Sequence, residues 1–73
     1  MADIEKIPVA SSNVEAIGYD EESQTLRIWF AEGSVYDYLN VPLMEYETLK
    51  TSPSIGSYLS RNIRGSYPYQ KIG

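Results

Sequence analysis

The sequence contains no cysteine and no histidine. Disulfides, thiol nucleophiles, imidazole acid–base chemistry and the ordinary zinc ligand sets are all excluded by that pair of absences. Without histidine the serines have no base to complete a nucleophilic triad, and neither a G-x-S-x-G elbow nor a Walker-type phosphate loop occurs. The paired carboxylates, Glu21 with Glu22 and Glu45 with Glu47, read as solvated surface. A non-enzyme is expected, and no cofactor or metal is implied. Long apolar runs are absent too. Nothing approaches the roughly 18 consecutive apolar residues that a spanning helix needs, and the start "MADIEKIPVASSN" carries Asp3 and Glu5 instead of a signal-type apolar core. The expectation is a cytoplasmic protein with no membrane attachment.

What the chain has in excess is aromatic bulk: seven tyrosines, one tryptophan and one phenylalanine in 73 residues. That length sits near the lower limit at which one hydrophobic core outweighs chain entropy, so a single domain over residues 1–73 is expected. A homodimer or higher homo-oligomer would be a ready source of further burial. The net charge of −4 argues against a general nucleic-acid binder. The average conceals a split, however. Residues 1–47 hold all ten acids against Lys6 and Arg27, a net of −8, whereas residues 48–73 hold Lys50, Arg61, Arg64 and Lys71 and no acid, a net of +4. Either the two halves neutralise one another in one compact fold, or the C-terminal part carries a local anion-binding patch.

The hydropathy pattern gives the order strand, strand, strand, helix, helix, irregular tail. Residues 1–8 lack periodicity and read as a flexible arm or an edge strand. "NVEAIGYD" reads as a strand and "DEESQ" as a polar turn stabilised by side-chain to backbone hydrogen bonds. "QTLRIWFA" alternates, with Leu26, Ile28 and Phe30 on one face and Arg27 and Trp29 on the other. Glu32-Gly33 offers a two-residue hairpin loop before a third strand, "SVYDYLN". Counting from that loop sets Trp29 opposite Tyr36, Ile28 opposite Asp37 and Arg27 opposite Tyr38. Pro42 opens a helix with Leu43, Tyr46 and Leu49 or Lys50 at helical spacing. Ser52 and Pro53 open a second, in which Ile55, Leu59 and Ile63 recur every four residues and Gly65 supplies the stop. Gly56 inside it implies a close backbone approach, to the sheet or to a ligand. The predicted fold is α+β: a three-stranded antiparallel β-meander followed by two short helices packed on one face.

Two constellations stand out. Arg61 and Arg64 lie three apart near the end of the second helix. They complement the helix dipole, or pair with Asp37 turned towards the helices, or form a guanidinium fork for phosphate or carboxylate. Trp29, Tyr36 and Tyr38, with Arg27, share a predicted sheet face. They form core or an interface, or a platform on which bases stack.

The segments "SSNVEAIGYD", "GSVYDYLNVP" with its Tyr36-x-Tyr38 pair, and "SIGSYLSRNIRGSYPYQKI" resemble the KTSC domain family, named after a module at the C-terminus of some lysyl-tRNA synthetases. The resemblance covers nearly the whole chain after about residue 7, in an order that isolated motifs would not reproduce. It implies a small α+β domain suggested to bind RNA, and it carries over no aminoacylation activity. The leading expectation is a non-catalytic domain that recognises or sequesters a phosphate-bearing ligand: a nucleotide, a signalling nucleotide or a short RNA element. Arg61 and Arg64 would meet phosphate, while Tyr36, Tyr38 and Trp29, or Tyr67 and Tyr69 of the tail, would stack and Arg27 would assist. The alternative is a protein–protein adaptor with the aromatic sheet face as its interface.

Overall fold

The computed structural model describes residues 4–73. Its centre is an antiparallel sheet of five strands in the order β1-β2-β3-β4-β5: β1 Ile7–Pro8, β2 Val14–Asp20, β3 Thr25–Phe30, β4 Val35–Tyr38 and β5 Tyr69–Lys71. Three of these match the predicted meander. The two additional strands correct the count of three, and β1 falls where residues 1–8 were read as an arm or an edge strand. Both are edge strands, of two and three residues. Neither carries the alternation that betrays a half-buried strand, because a short edge strand is held by backbone pairing more than by side-chain burial. Pro8 is tolerated in β1 because an edge strand can leave one side of its backbone unpaired. The tail read as irregular is β5, and Leu39 N–H donating to the Pro68 carbonyl at 2.8 Å locks its start beside β4.

The turn between β2 and β3 has the expected chemistry. Asp20 accepts from the Ser23 hydroxyl at 2.7 Å and from Glu22 N–H at 3.3 Å, and Gln24 takes a left-handed conformation at φ 54°. The turn between β3 and β4 does not follow expectation. Phe30 N–H donates to Ser34 at 2.8 Å and Gly33 N–H to Phe30 at 3.0 Å, so the loop is Ala31–Gly33, three residues, with Gly33 at φ 111°. This is a tight turn followed by a glycine bulge, an arrangement only glycine enters without strain. One extra loop residue moves the register by one. Trp29 faces Val35, Ile28 faces Tyr36, Arg27 faces Asp37 and Leu26 faces Tyr38.

Because strand side chains alternate with a period of two, that single step exchanges the faces of β4. Tyr36 and Tyr38 join Leu26 and Ile28 on the helix-covered face, and Asp37 joins Arg27 and Trp29 on the other. Both assignments reverse the predicted ones.

Helix α1 is Leu43–Lys50 and α2 is Ile55–Tyr58, continued by a π-helical turn over Leu59–Ile63. Pro42 caps α1 from just outside it, one position earlier than predicted, and its carbonyl accepts from Glu45 N–H at 3.0 Å. The α2 cap is Ser54, not Ser52: its hydroxyl accepts from Ser57 N–H at 3.4 Å. Ile55, Leu59 and Ile63 are all buried. A four-residue repeat over-rotates an α-helix by roughly 40° per step. The wider π turn under-rotates, returning Ile63 to the line of Ile55 and keeping all three in the core. Those three close over Val14, Ile17, Leu26 and Ile28 of the sheet together with Tyr46 and Leu49 of α1. Tyr19 stacks on Tyr46 at 4.9 Å and 12°, fastening α1 to β2.

Candidate functional site

The face of the sheet away from the helices is closed in part by the chain's own beginning. A side chain at Gly18 would collide with the Glu5 carbonyl and with Ile4, so the segment before β1 crosses directly over β2 there. Beside it, Arg27 and Asp37 form a bidentate pair, Nε to Oδ1 at 2.8 Å and a terminal guanidinium nitrogen to Oδ2 at 3.1 Å. Asp37 is only 6% exposed. Its cationic partner is therefore Arg27, the cross-strand neighbour, and not Arg61 or Arg64. Trp29 lies between cations, with Lys6 Nζ 5.7 Å and Arg27 Cζ 6.0 Å from its ring. The predicted platform of Trp29, Tyr36 and Tyr38 with Arg27 is thus divided between opposite faces.

On the helix side the sheet runs past the helices towards β5, and the uncovered strip is a groove of about 440 Å³. Its floor is tyrosine. Tyr36 and Tyr38 lie 6.4 Å apart on alternate positions of β4, and Tyr69, opposite Tyr38 on β5, sits 5.7 and 5.8 Å from them. Phe30 meets Tyr36 edge-on at 5.6 Å and closes one wall. The three tyrosines differ in exposure: Tyr38 is 3% exposed and belongs to the core, Tyr36 is half-buried, and Tyr69 presents 59% of its surface. Tyr69 is therefore the ring a ligand can cover.

Arg64 borders the same groove. It follows the π turn, where its N–H donates to the Leu59 carbonyl at 2.9 Å. Its guanidinium stands beside the Tyr38 hydroxyl. Burial pushes the Tyr38 pKa up, and Arg64 works against that rise. Arg61 does not border the groove, although both arginines are exposed. The spacing of three that aligns two side chains on an α-helix does not do so through a π turn. Lys71, opposite Tyr36 on β5, adds a cation to this face.

Tyr67, also expected to stack, is committed elsewhere: its hydroxyl donates to Glu45 Oε2 at 2.8 Å, and the Tyr58 hydroxyl donates to Glu45 Oε1. Glu45, which the sequence assigned to solvated surface, is the acceptor that ties α1 to α2 and the tail. Gly56 admits the Asn13 side chain, which a β-carbon would strike at 2.6 Å. Sequence reasoning missed Glu32 and Asn13, both of which border the tyrosine groove. Neither residue has a signal of its own; the three-residue hairpin loop brings Glu32 there. Among the described residues no group of acids converges as a metal site, and no helix is long and apolar enough to cross a membrane.

The sequence model of the KTSC domain matches residues 10–67, which include the Tyr36-Tyr38 strand and Arg64. The chain belongs to the KTSC domain family. A crystal structure of a KTSC domain protein from Yersinia pestis superimposes with a TM-score of 0.93 at 34% identity, covering 97% of this chain and 100% of that one. A lysine–tRNA ligase of Nostoc sp. is 38% identical over 61 residues, 84% of this chain but 11% of the ligase. An uncharacterised protein of Stutzerimonas stutzeri is 29% identical over 70 residues, 94% of this chain and 99% of that protein. The KTSC module therefore occurs both inside a long ligase and as nearly the whole of a short protein.

Proposed function

We propose that this KTSC domain is a non-catalytic, cytoplasmic binding domain for a phosphate-bearing aromatic ligand, a nucleotide or a short single-stranded RNA element. The observation that carries the reading is the tyrosine-floored groove bordered by Arg64. The exposed ring of Tyr69, beside half-buried Tyr36, supplies stacking that every base can use, and a guanidinium at the rim supplies a fork for phosphate oxygens. The similar segment in lysine–tRNA ligases, whose name includes an RNA substrate, supports the RNA form of the ligand. The net charge of −4 limits the reading to a local site, Arg64 at the groove with Lys71 on the same face and one or two rings.

Calorimetric titration with mononucleotides and with short single-stranded RNA tests it. Binding is expected to weaken as salt rises, with Arg64→Gln lowering the salt slope by about one. Tyr69→Ala is expected to cost about 1–3 kcal/mol of affinity. No binding to any of these probes at about 1 mM, the weakest useful affinity, would refute the proposal. The adaptor alternative predicts instead that a protein partner, and no nucleotide, protects Tyr69 from solvent.

A further inference from the structure

Glu32 has no place in the phosphate reading. A carboxylate at the edge of a phosphate groove repels the ligand unless the ligand brings N–H donors to it. The hairpin holds this carboxylate in position: Ser34 N–H donates to Glu32 Oε1 at 2.9 Å. Hydrogen bonding from Ser34 holds the Glu32 pKa below the usual carboxylate range, with Lys71 contributing less, so the group is ionised and only accepts. Glu32 forms no ion pair among the described residues.

The order along the groove also matters. Glu32 and Ser34 stand at the hairpin end, Tyr36 in the middle, and Tyr38, Tyr69 and Arg64 at the far end. From Ser34 to Tyr38 is four residues of strand, roughly 13 Å. That is the scale of a nucleoside monophosphate from base edge to phosphate, with an acceptor at one end and a guanidinium at the other.

From this order we propose that Glu32 makes the groove selective for guanine. The inference rests on the reading of the groove as a nucleotide site. Guanine alone among the common bases offers two parallel N–H donors, N1–H and the N2 amino group, on the edge opposite its sugar. A fixed carboxylate takes both, as it takes the two parallel donors of a guanidinium. Uracil sets one N–H between two carbonyls, and adenine and cytosine set one amino group beside a bare acceptor nitrogen. Each leaves a carboxylate oxygen facing an acceptor. In the pose that follows, the base lies along Tyr36 and Tyr69, its donor edge meets Glu32, and its phosphate meets Arg64. Sites that bind a base through two such bonds discriminate by about one to two powers of ten.

The test is calorimetry with GMP, IMP, AMP, CMP and UMP, and with single-stranded tetranucleotides with and without guanine, on the parent and on Glu32→Gln. The glutamine keeps a carbonyl acceptor for Ser34 N–H, and an unchanged unfolding midpoint confirms that the hairpin is intact. GMP is expected to bind at least about tenfold more tightly than UMP, and IMP, which lacks the N2 amino group, about tenfold less tightly than GMP. Glu32→Gln should lower GMP affinity about tenfold and leave UMP unchanged. Guanine preference seen only in the tetranucleotides also supports the inference and identifies the source as an RNA strand. Equal binding of all nucleotides, unaffected by Glu32→Gln, overturns guanine selection while leaving the nucleotide site standing. Absence of all binding overturns both.

Discussion

Replacing Asp37 by asparagine removes the carboxylate that receives two guanidinium N–H groups from Arg27, at 2.8 and 3.1 Å. Breaking a fully buried ion pair costs about 3–5 kcal/mol. This pair lies short of that limit, because the Arg27 side chain keeps 29% of its surface and stays partly hydrated when the carboxylate is lost. Asparagine also retains one acceptor. The expected cost is therefore about 2 kcal/mol. A domain of this size has roughly 4–10 kcal/mol of stability in total. The loss should lower the melting temperature by about 8–16 °C. Urea unfolding followed by fluorescence is the assay, since Trp29 is the one tryptophan and lies 6.0 Å from the Arg27 guanidinium. The midpoint should fall while the slope holds. Arg27→Gln combined with Asp37→Asn should cost less than the two single changes added together, reporting the coupling. Replacing Arg61 and Arg64 together by glutamine should change stability by less than about 0.5 kcal/mol, as for exposed positions elsewhere. A harmless Asp37→Asn, or a costly double arginine change, would refute the β3–β4 register.

Three further outcomes follow from the geometry. Gly33→Ala should destabilise by about 1–2 kcal/mol in chemical denaturation, because φ 111° is strained for a residue with a side chain even though the space around it is open. Glu45→Ala strands the hydroxyls of Tyr58 and Tyr67 and should cost about 1–2 kcal/mol, with Glu45→Gln intermediate. Stability should also fall in alkali. Burial raises the pKa values of Tyr19, Tyr38, Tyr46 and Tyr67, and the hydrogen bond to Glu45 raises that of Tyr58, so the folded chain holds these protons longer than the unfolded one. Their contribution is complete below the unfolded tyrosine pKa of about 10 and is lost as pH rises through the folded values. Melting temperature measured alongside tyrosinate absorbance checks this; an unchanged midpoint well above pH 10 would contradict it.

The legible parts of the fold were those written in strong local patterns. Leu26 and Ile28 alternate, Ile55, Leu59 and Ile63 repeat, and Asp20 and Ser23 carry turn chemistry; each has the role its pattern implied. β1 and β5 had no such pattern to read. At the site, Tyr36, Tyr38, Tyr69 and Arg64 were named from the sequence and are brought to one groove, whereas Trp29, Arg27, Arg61 and Tyr67 are placed elsewhere. Glu32 escaped notice because an acid in a hairpin loop is ordinarily solvated surface.

Periodicity by itself determined the α+β class and the core residues of β3 and α2, composition excluded thiol and imidazole chemistry, and three segments of the sequence carried the resemblance to the KTSC family. Only the tertiary structure decided which face Tyr36 and Tyr38 occupy. The whole difference came from one loop residue. Gly33 is compatible with a two-residue or a three-residue turn, and local preference does not choose between them. The choice falls to burial on both faces together: the observed register puts Tyr38 into the core and lets Asp37 meet Arg27 across the strand pair, satisfying a carboxylate that the other register would have driven among aliphatic side chains.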